Sequence, residues 1–429
     1  MDRFDRNARI IRDGVAVEGD ALLQRASELA SRLRSSGARC VATASGRADV
    51  VAIALLAAQS ADCGLILSRR GAIPLDAQNG IGEADVLLAD DLQTSALLGS
   101  TADRGFSVAI STSGTTGRPK LAWHSLDALL GRVHAPGGDH PRPRWLLTFH
   151  PASFAGLQVL LTALVSGASL ISVSNPSVAS LAEAAIQHRP THLSATPTFW
   201  RSFLAILGPA PVELSLRQIT VGGEAVDQAT LDRLAAAFPG AGIAHIYAST
   251  EAGSLFSVRD RRAGFPAAWL REPVEGVQLR IRGGVLEVRS PRAMLGYAGG
   301  ESPHRSLTDD GWLSTNDRVD IRGDRVEFLG RVDSIINVGG AKASPEAIEA
   351  VLLDVPGVVE AQVYGARNPI TGEVVAADIC LERGIPEAQA KAAILERARS
   401  RLQAHEVPRV LRFVDTVAVS DTGKKKRKT

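Results

Sequence analysis

The chain has 429 residues, enough for two or three domains at roughly 100–200 residues each. Hydrophobic residues make up 45% and charged residues 22%, a balance that excludes a disordered chain, a collagen-like chain and a small disulfide scaffold. With 48 basic against 46 acidic residues the net charge is +2, and aromatics are 4%, so the composition offers neither the basic excess nor the stacking platforms of a nucleic-acid binder.

Residues 19–36 carry leucine and alanine at helical spacing, and 40–44 is a short strand-like run. A helix over 48–61 and a strand over 64–67 follow, and strands alternating with helices imply a parallel sheet. The pattern continues with strands over 106–110, 145–149, 169–173, 218–221 and 243–247, and helices over 157–164, 178–188 and 227–238. From about Val277 the texture changes to short alternating strands, 277–281, 285–288, 319–321 and 326–328, with hairpin turns at Gly283-Gly284 and Gly323-Asp324. After Gly330 come a helix over 345–353 with Ser344 as N-cap and Pro345 first in the helix, strands over 358–364 and 376–381, a helix over 386–402 and a strand over 410–414.

Cys40, Cys63 and Cys380 are odd in number and far apart, which argues against a disulfide framework or a cysteine zinc site. The N-terminus has no apolar h-region, and no apolar run reaches about 18 residues, so a cytoplasmic protein without a membrane span is expected.

The most informative segment is 111–120, S-T-S-G-T-T-G-R-P-K, with five hydroxyl side chains and two glycines directly after a strand. Glycines admit close backbone approach, consecutive N–H groups and hydroxyls can wrap phosphate oxygens, and Lys120 adds a point charge. It is not a Walker A loop, because Pro119 precedes the lysine and Leu121 follows it. Ser111, Thr112, Ser113, Gly114, Thr115, Thr116, Gly117 and Lys120 are therefore candidate phosphate-binding residues.

Segment 111–120 closely resembles the phosphate loop of the AMP-forming adenylating enzymes, the superfamily of acyl-CoA synthetases, aryl-CoA ligases and nonribosomal adenylation domains. Further motifs follow in the family's order. Tyr247-Ala248-Ser249-Thr250-Glu251 resembles Y-G-x-T-E, which implies Tyr247 on the adenine, Thr250 at the α-phosphate and Glu251 on Mg²⁺; a carboxylate is a hard oxygen ligand suited to that ion. Gly222-Gly223-Glu224-Ala225 falls where the family has a segment beside the adenine and the acyl pocket. Gly311 to Asp317 resembles G-W-x-x-T-G-D, with Asp317 accepting from the ribose hydroxyls and Asn316 in place of a glycine, a substitution that left-handed backbone tolerates. Gly330-Arg331-Val332-Asp333 resembles the interdomain motif: Arg331 at the ribose, Asp333 the hinge, and Gly339 and Gly340 lining the tunnel of the acceptor thiol. Thr422 to Arg427 resembles T-G-K-x-x-R, which makes Lys424 the lysine that reaches the carboxylate and α-phosphate.

The resemblance implies an α/β fold: a large N-terminal domain over 1–329, with parallel sheets, helices and a small β-rich subdomain, a hinge at 330–333, and a mobile α+β C-terminal domain over 334–429. The region before the phosphate loop is shorter than is usual in the family. The implied activity is ATP-dependent conversion of a carboxylic acid to an acyl-adenylate with release of pyrophosphate, then transfer to a thiol. Acyl-pocket candidates are Ser153, Phe154, Thr196, Gly222, Ala248 and Ser249, small and largely neutral, and no Asp marks an amino-group anchor, which favours an aryl or acyl acid. The chain stops five residues after Lys424, so no fused carrier is expected; CoA is the favoured acceptor, and the alternative is a standalone adenylating enzyme that loads a separate carrier protein or another nucleophile. A nucleotide-binding protein without turnover is the remaining alternative, against which Lys120, Glu251, Asp317, Arg331 and Lys424 argue.

Overall fold

A computed structural model of the chain describes residues 3–69, 84–97, 105–112, 120–133, 141–208, 214–298, 308, 310–418 and 425. Four sheets carry the architecture. In the first, six parallel strands run in the spatial order Gly242–Ser249, Gln218–Gly222, His192–Ala195, Arg144–Leu147, Ser169–Ser172 and Arg9–Arg12, with antiparallel Gly253–Val258 and Val15–Glu18 at the two edges. The second has four central parallel strands, Val108–Ser111, Gly64–Leu67, Cys40–Thr43 and Val86–Leu88, again with antiparallel edges.

Parallel neighbours need crossover connections, and here helices supply most of them. Gly19–Ser35, Ala48–Ala61 and Phe154–Ser166 share one apolar core with both parallel sheets. In Ala48–Ala61 every residue from Ala48 to Ala58 is buried, as a helix apolar on all sides requires. Val178–His188, Pro197–Leu207 and Gln228–Ala237 form a second core with the first sheet. Trp200 in the middle helix is fully buried and its indole N–H donates to the carbonyl of Thr220 at 3.1 Å, tying this helix to the strand that ends in Gly222.

The third sheet is small and antiparallel, built from Phe265–Pro266, Arg325–Arg331, Leu313–Arg322, Val285–Arg289 and Gln278–Arg282. Its two anticipated hairpin turns form at Gly283-Gly284 and Gly323-Asp324, with all three glycines at positive φ. The C-terminal domain has its own five-stranded sheet and its own core, formed with Pro345–Leu353 and Glu387–Arg401. The mixed α/β fold with a large N-terminal and a smaller C-terminal domain is thus as the sequence implies. Ser344 does occupy the N-cap position, but its hydroxyl makes no capping bond and donates instead to the carbonyl of Leu329. Among the described residues no helix is long and apolar enough to cross a membrane.

Trp200→Ala should remove the bond to Thr220 and a large buried ring together. A loss of about 3–5 kcal/mol in unfolding free energy is expected from chemical denaturation; a loss below about 1 kcal/mol would contradict this packing.

Candidate active site

Parallel strands in matched register place every following loop at one end of the sheet, where open α/β folds bind ligands. Ala195, Val221 and His245 lie side by side across three strands. Just beyond them come Thr196, the Gly222-Gly223-Glu224 turn and Tyr247 to Glu251. Gly223 takes φ +85°, a left-handed conformation that suits glycine.

Tyr247 is partly buried between the rings of Phe256 and Phe328, with centroids 5.4 and 5.0 Å away. Its hydroxyl donates to Asp317 Oδ2. Asp317 pairs across the third sheet with Arg331, whose guanidinium lies 3.5 Å from Asp317 Oδ1 and 3.1 Å from Asp333 Oδ1. Asn316 has φ +60°, the left-handed turn expected of a residue replacing glycine. Burial pushes the Tyr247 phenol well above its usual range, and the Asp317 carboxylate beside it adds to the shift. For Arg331, burial disfavours the charge, but the bond to Asp333 and the proximity of Asp317 outweigh it and raise its pKa.

A second group lies at the phosphate loop. The N–H of Thr112 donates to the carbonyl of Lys120 at 2.7 Å, closing the base of the loop. Ser113, Gly114, Thr115, Thr116 and Gly117 lie outside the described residues, as does Lys424. Ser111 is buried. Lys120 Nζ sits 5.0 Å from the ring centroid of Tyr297, whose hydroxyl donates to Glu251 Oε1 at 3.2 Å. Tyr297 enters through the antiparallel pairing of Gly296–Tyr297 with Leu121–His124, a long-range contact with no local sequence signal. Glu251 thus presents a carboxylate with one tyrosine partner, and its oxygen chemistry fits Mg²⁺. His124 is fully buried against Phe154, 5.7 Å between ring centroids, and burial lowers its pKa to about 4.

The acyl-pocket candidates divide. Ser153 caps the helix Phe154–Ser166 by accepting from Gly156 N at 3.1 Å, and Thr196 caps Pro197–Leu207 by accepting from Phe199 N at 3.1 Å. Both are buried, so their hydroxyls serve the helices. Gly222, Ala248 and Ser249 stand at the strand ends, with Ser249 Oγ accepting from Ala252 N. Gly156 has a packing reason: a Cβ there would lie 2.1 Å from the His150 carbonyl oxygen.

Glu224 accepts from Thr198 Oγ1 at 2.7 Å and from the backbone N–H of Lys425 at 2.8 Å, facing the C-terminal domain. Gly339 and Gly340 form the turn between Ile336–Val338 and Ala341–Ala343, at φ +60° and +92°. Gly340 borders an open groove of about 720 Å³ that Asn337, Arg367 and Thr371 also line.

The AMP-binding enzyme model matches residues 12–298, and the model of the AMP-binding enzyme C-terminal domain matches 347–424. The chain belongs to the AMP-binding enzyme family. It is 26% identical over 347 residues to 4-hydroxybutyrate–CoA ligase 2 of Metallosphaera sedula, covering 73% of this chain and 61% of that one. It is 28% identical over 369 residues to a probable 2-succinylbenzoate–CoA ligase of Mycobacterium tuberculosis, covering 81% and 91%. The anthranilate CoA ligase AuaEII, solved in complex with anthranoyl-AMP, shares the fold with a TM-score of 0.75 at 21% identity, over 98% of this chain and 93% of that one. The matches span about three fifths of the length of the first curated relatives.

The Tyr247 phenol yields a pH prediction. Its pKa is raised in the folded chain above the ordinary value of 10.0, so its contribution to stability is full below pH 10 and declines as pH rises toward the folded value. Ultraviolet titration should show one of the three tyrosines ionising only with alkaline unfolding, and Tyr247→Phe should abolish that delayed step. Reversible ionisation of all three near pH 10 would contradict it.

Proposed function

We propose that this chain activates a carboxylic acid with ATP, forms an acyl-adenylate with release of pyrophosphate, and passes the acyl group to a thiol, most directly that of CoA. The observation that carries the reading is the convergence of Lys120 and Glu251 on Tyr297, with Thr112 and Lys120 bonded to each other at the two ends of the hydroxyl- and glycine-rich sequence between them. The CoA-ligase names of the relatives support the same reading.

A carboxylate is a poor electrophile because its leaving group would be oxide. Attack of its oxygen on the α-phosphate breaks the bond to pyrophosphate and turns AMP into the leaving group for the thiol. No general base is needed, because the nucleophile is already ionised. The work left to the protein is alignment and neutralisation of charge on the phosphate. In this reading the loop from Ser111 to Gly117 and Lys120 holds the phosphates, Thr250 donates to the α-phosphate, and Lys424 bridges it to the acid. Mg²⁺ held by Glu251 would neutralise phosphate charge. Tyr247 with Gly223 faces the adenine, and Asp317 with Arg331 takes the ribose. Phe154, Gly222, Ala248 and Ser249 border the acyl group, their small neutral side chains suiting an aryl or aliphatic acid. The hinge at 330–333 would let the C-terminal domain turn and bring Gly339 and Gly340 to the thiol.

A pyrophosphate-release screen over aryl, fatty and amino acids, with and without CoA, tests the reading. One acid class should give release that Lys424→Ala lowers about a hundredfold or more, with faster turnover when CoA is present. Release indifferent to CoA but accelerated by a carrier protein's thiol would move the acceptor to that carrier. ATP binding without pyrophosphate release for any acid would overturn the proposal.

A further inference from the structure

A buried cluster of charges joins the two domains, and the motifs do not account for it. Arg201, on the helix Pro197–Leu207, is 4% exposed. Its Nε and Nη2 donate to the two oxygens of Glu360 at 2.9 and 3.1 Å, across to the C-terminal domain. Its Nη1 donates to Asp227 Oδ2 and to Thr230 Oγ1, each at 3.0 Å, and Nη2 also reaches Thr198 Oγ1 at 3.3 Å. All five guanidinium N–H donors are therefore used. On the other side, Lys425 Nζ has three acceptors for its three donors: the Ala361 carbonyl at 2.6 Å, Glu360 Oε1 at 2.8 Å and Glu349 Oε2 at 3.0 Å. Its side chain is 7% exposed.

Two features set this cluster apart from ordinary ion pairing. The first is how contacts divide between domains. If the C-terminal domain separates from the large one, Arg201 keeps Asp227, Thr230 and Thr198, while Glu360 keeps Lys425 and the N–H of Ala361. Within this cluster only the Arg201–Glu360 fork and the bond from Lys425 N to Glu224 break. Neither side is left with a bare buried charge, the condition that makes broken buried pairs so costly. The second is charge balance. Glu224, Asp227, Glu349 and Glu360 face Arg201 and Lys425, so among these groups four carboxylates meet two cations. Lys425 is half of the compensating charge. Burial works against its ammonium, but Glu349 and Glu360 outweigh that and raise its pKa, which keeps it charged.

The bond to Glu224 adds a positional consequence. The N–H that Glu224 accepts belongs to the peptide joining Lys425 to Lys424, the residue to which the proposed chemistry falls. Glu224 itself follows Gly223 at the strand ends of the candidate site.

We propose that Lys425 is a positioning residue for the adenylation step: with Arg201 and Glu360 it forms a releasable ionic latch that holds the C-terminal domain on the large domain. The latch rests on the geometry above, and its role in adenylation rests on the proposed function. Lys425 touches no reacting atom; its ammonium stays with Glu349 and Glu360 and offsets their charge, and what opens when the domains part is the Arg201–Glu360 fork and the bond from Lys425 N to Glu224.

The test uses the full chain with two readouts. Ile206 and Ile370 are 50% and 90% exposed and lie on opposite domains, while Cys40, Cys63 and Cys380 are all buried. Spin labels on Ile206→Cys and Ile370→Cys therefore report domain separation against a quiet background. Without any ligand, the parent should show one dominant distance. Lys425→Gln and Arg201→Met should each add a longer population, and Lys425→Arg should restore the parent distribution. In the second readout, acid-dependent exchange of pyrophosphate into ATP should fall about tenfold in Lys425→Gln and return to within about threefold in Lys425→Arg. Conversion of supplied acyl-adenylate to thioester should not fall. Distance distributions of Lys425→Gln and Arg201→Met that superimpose on the parent's would overturn the latch. Lys425→Gln is near the chain end and does not depend on Arg201→Met folding. Absence of exchange in the parent with every acid would count against the proposed function alone, because the distances need no substrate.

Discussion

The matched register of the parallel strands is the constraint on which the rest of this structure depends. A strand that runs parallel to its neighbour must be reached by a crossover, and crossovers put all loops that follow strands at the same end of the sheet. Residues as far apart as Thr196, Gly223 and Tyr247 thereby reach one end of the first sheet, and Tyr297, paired with Leu121–His124 of the second sheet and bonded to Glu251, joins Lys120 to them. The small antiparallel sheet then brings Asp317 to Tyr247, and the pairing of Asp317 with Arg331 carries that end to the start of the C-terminal domain.

Charge is distributed in keeping with this layout. Lys120 and Glu251 are half-buried and are held by the Tyr297 ring and hydroxyl. At the domain interface two more strongly buried charges, Arg201 and Lys425, face Glu360 from two sides. Burial makes each of those charges dependent on its partners. A substitution in the cluster therefore acts on the contact between the domains, whereas in the proposed reaction one at Lys120 or Glu251 acts on phosphate charge.

Much of the site was legible because its residues are short motifs in a set order: small and hydroxyl residues before Lys120, Tyr247 to Glu251, Asp317, and Arg331 to Asp333. The strand–helix alternation was legible for the same local reason. What the sequence reading passed over depends on partners distant in the chain. Tyr297 acquires meaning only by pairing with Leu121–His124, and Arg201 only across to Glu360. Other omissions did carry local signals. Asp13-Gly14, both at positive φ, turn the hairpin Arg9–Arg12 and Val15–Glu18, a turn typical of that dipeptide. Thr196-Pro197 is a helix start of the usual kind, yet the helix Pro197–Leu207 went unread. Ser153 and Thr196 were read for pocket positions when their hydroxyls were already committed as helix caps.

In the proposed reaction the acid's own oxygen attacks the α-phosphate of ATP. Isotope transfer tests it directly. The acid that supports turnover is labelled with ¹⁸O in its carboxylate, and the phosphorus products are analysed by mass spectrometry after thioester formation. AMP carrying one ¹⁸O and unlabelled pyrophosphate are expected, because the bridging oxygen stays with phosphorus when the thiol displaces AMP. Formation of ADP with the label in inorganic phosphate would mean attack at the γ-phosphate, and would contradict the proposed reaction.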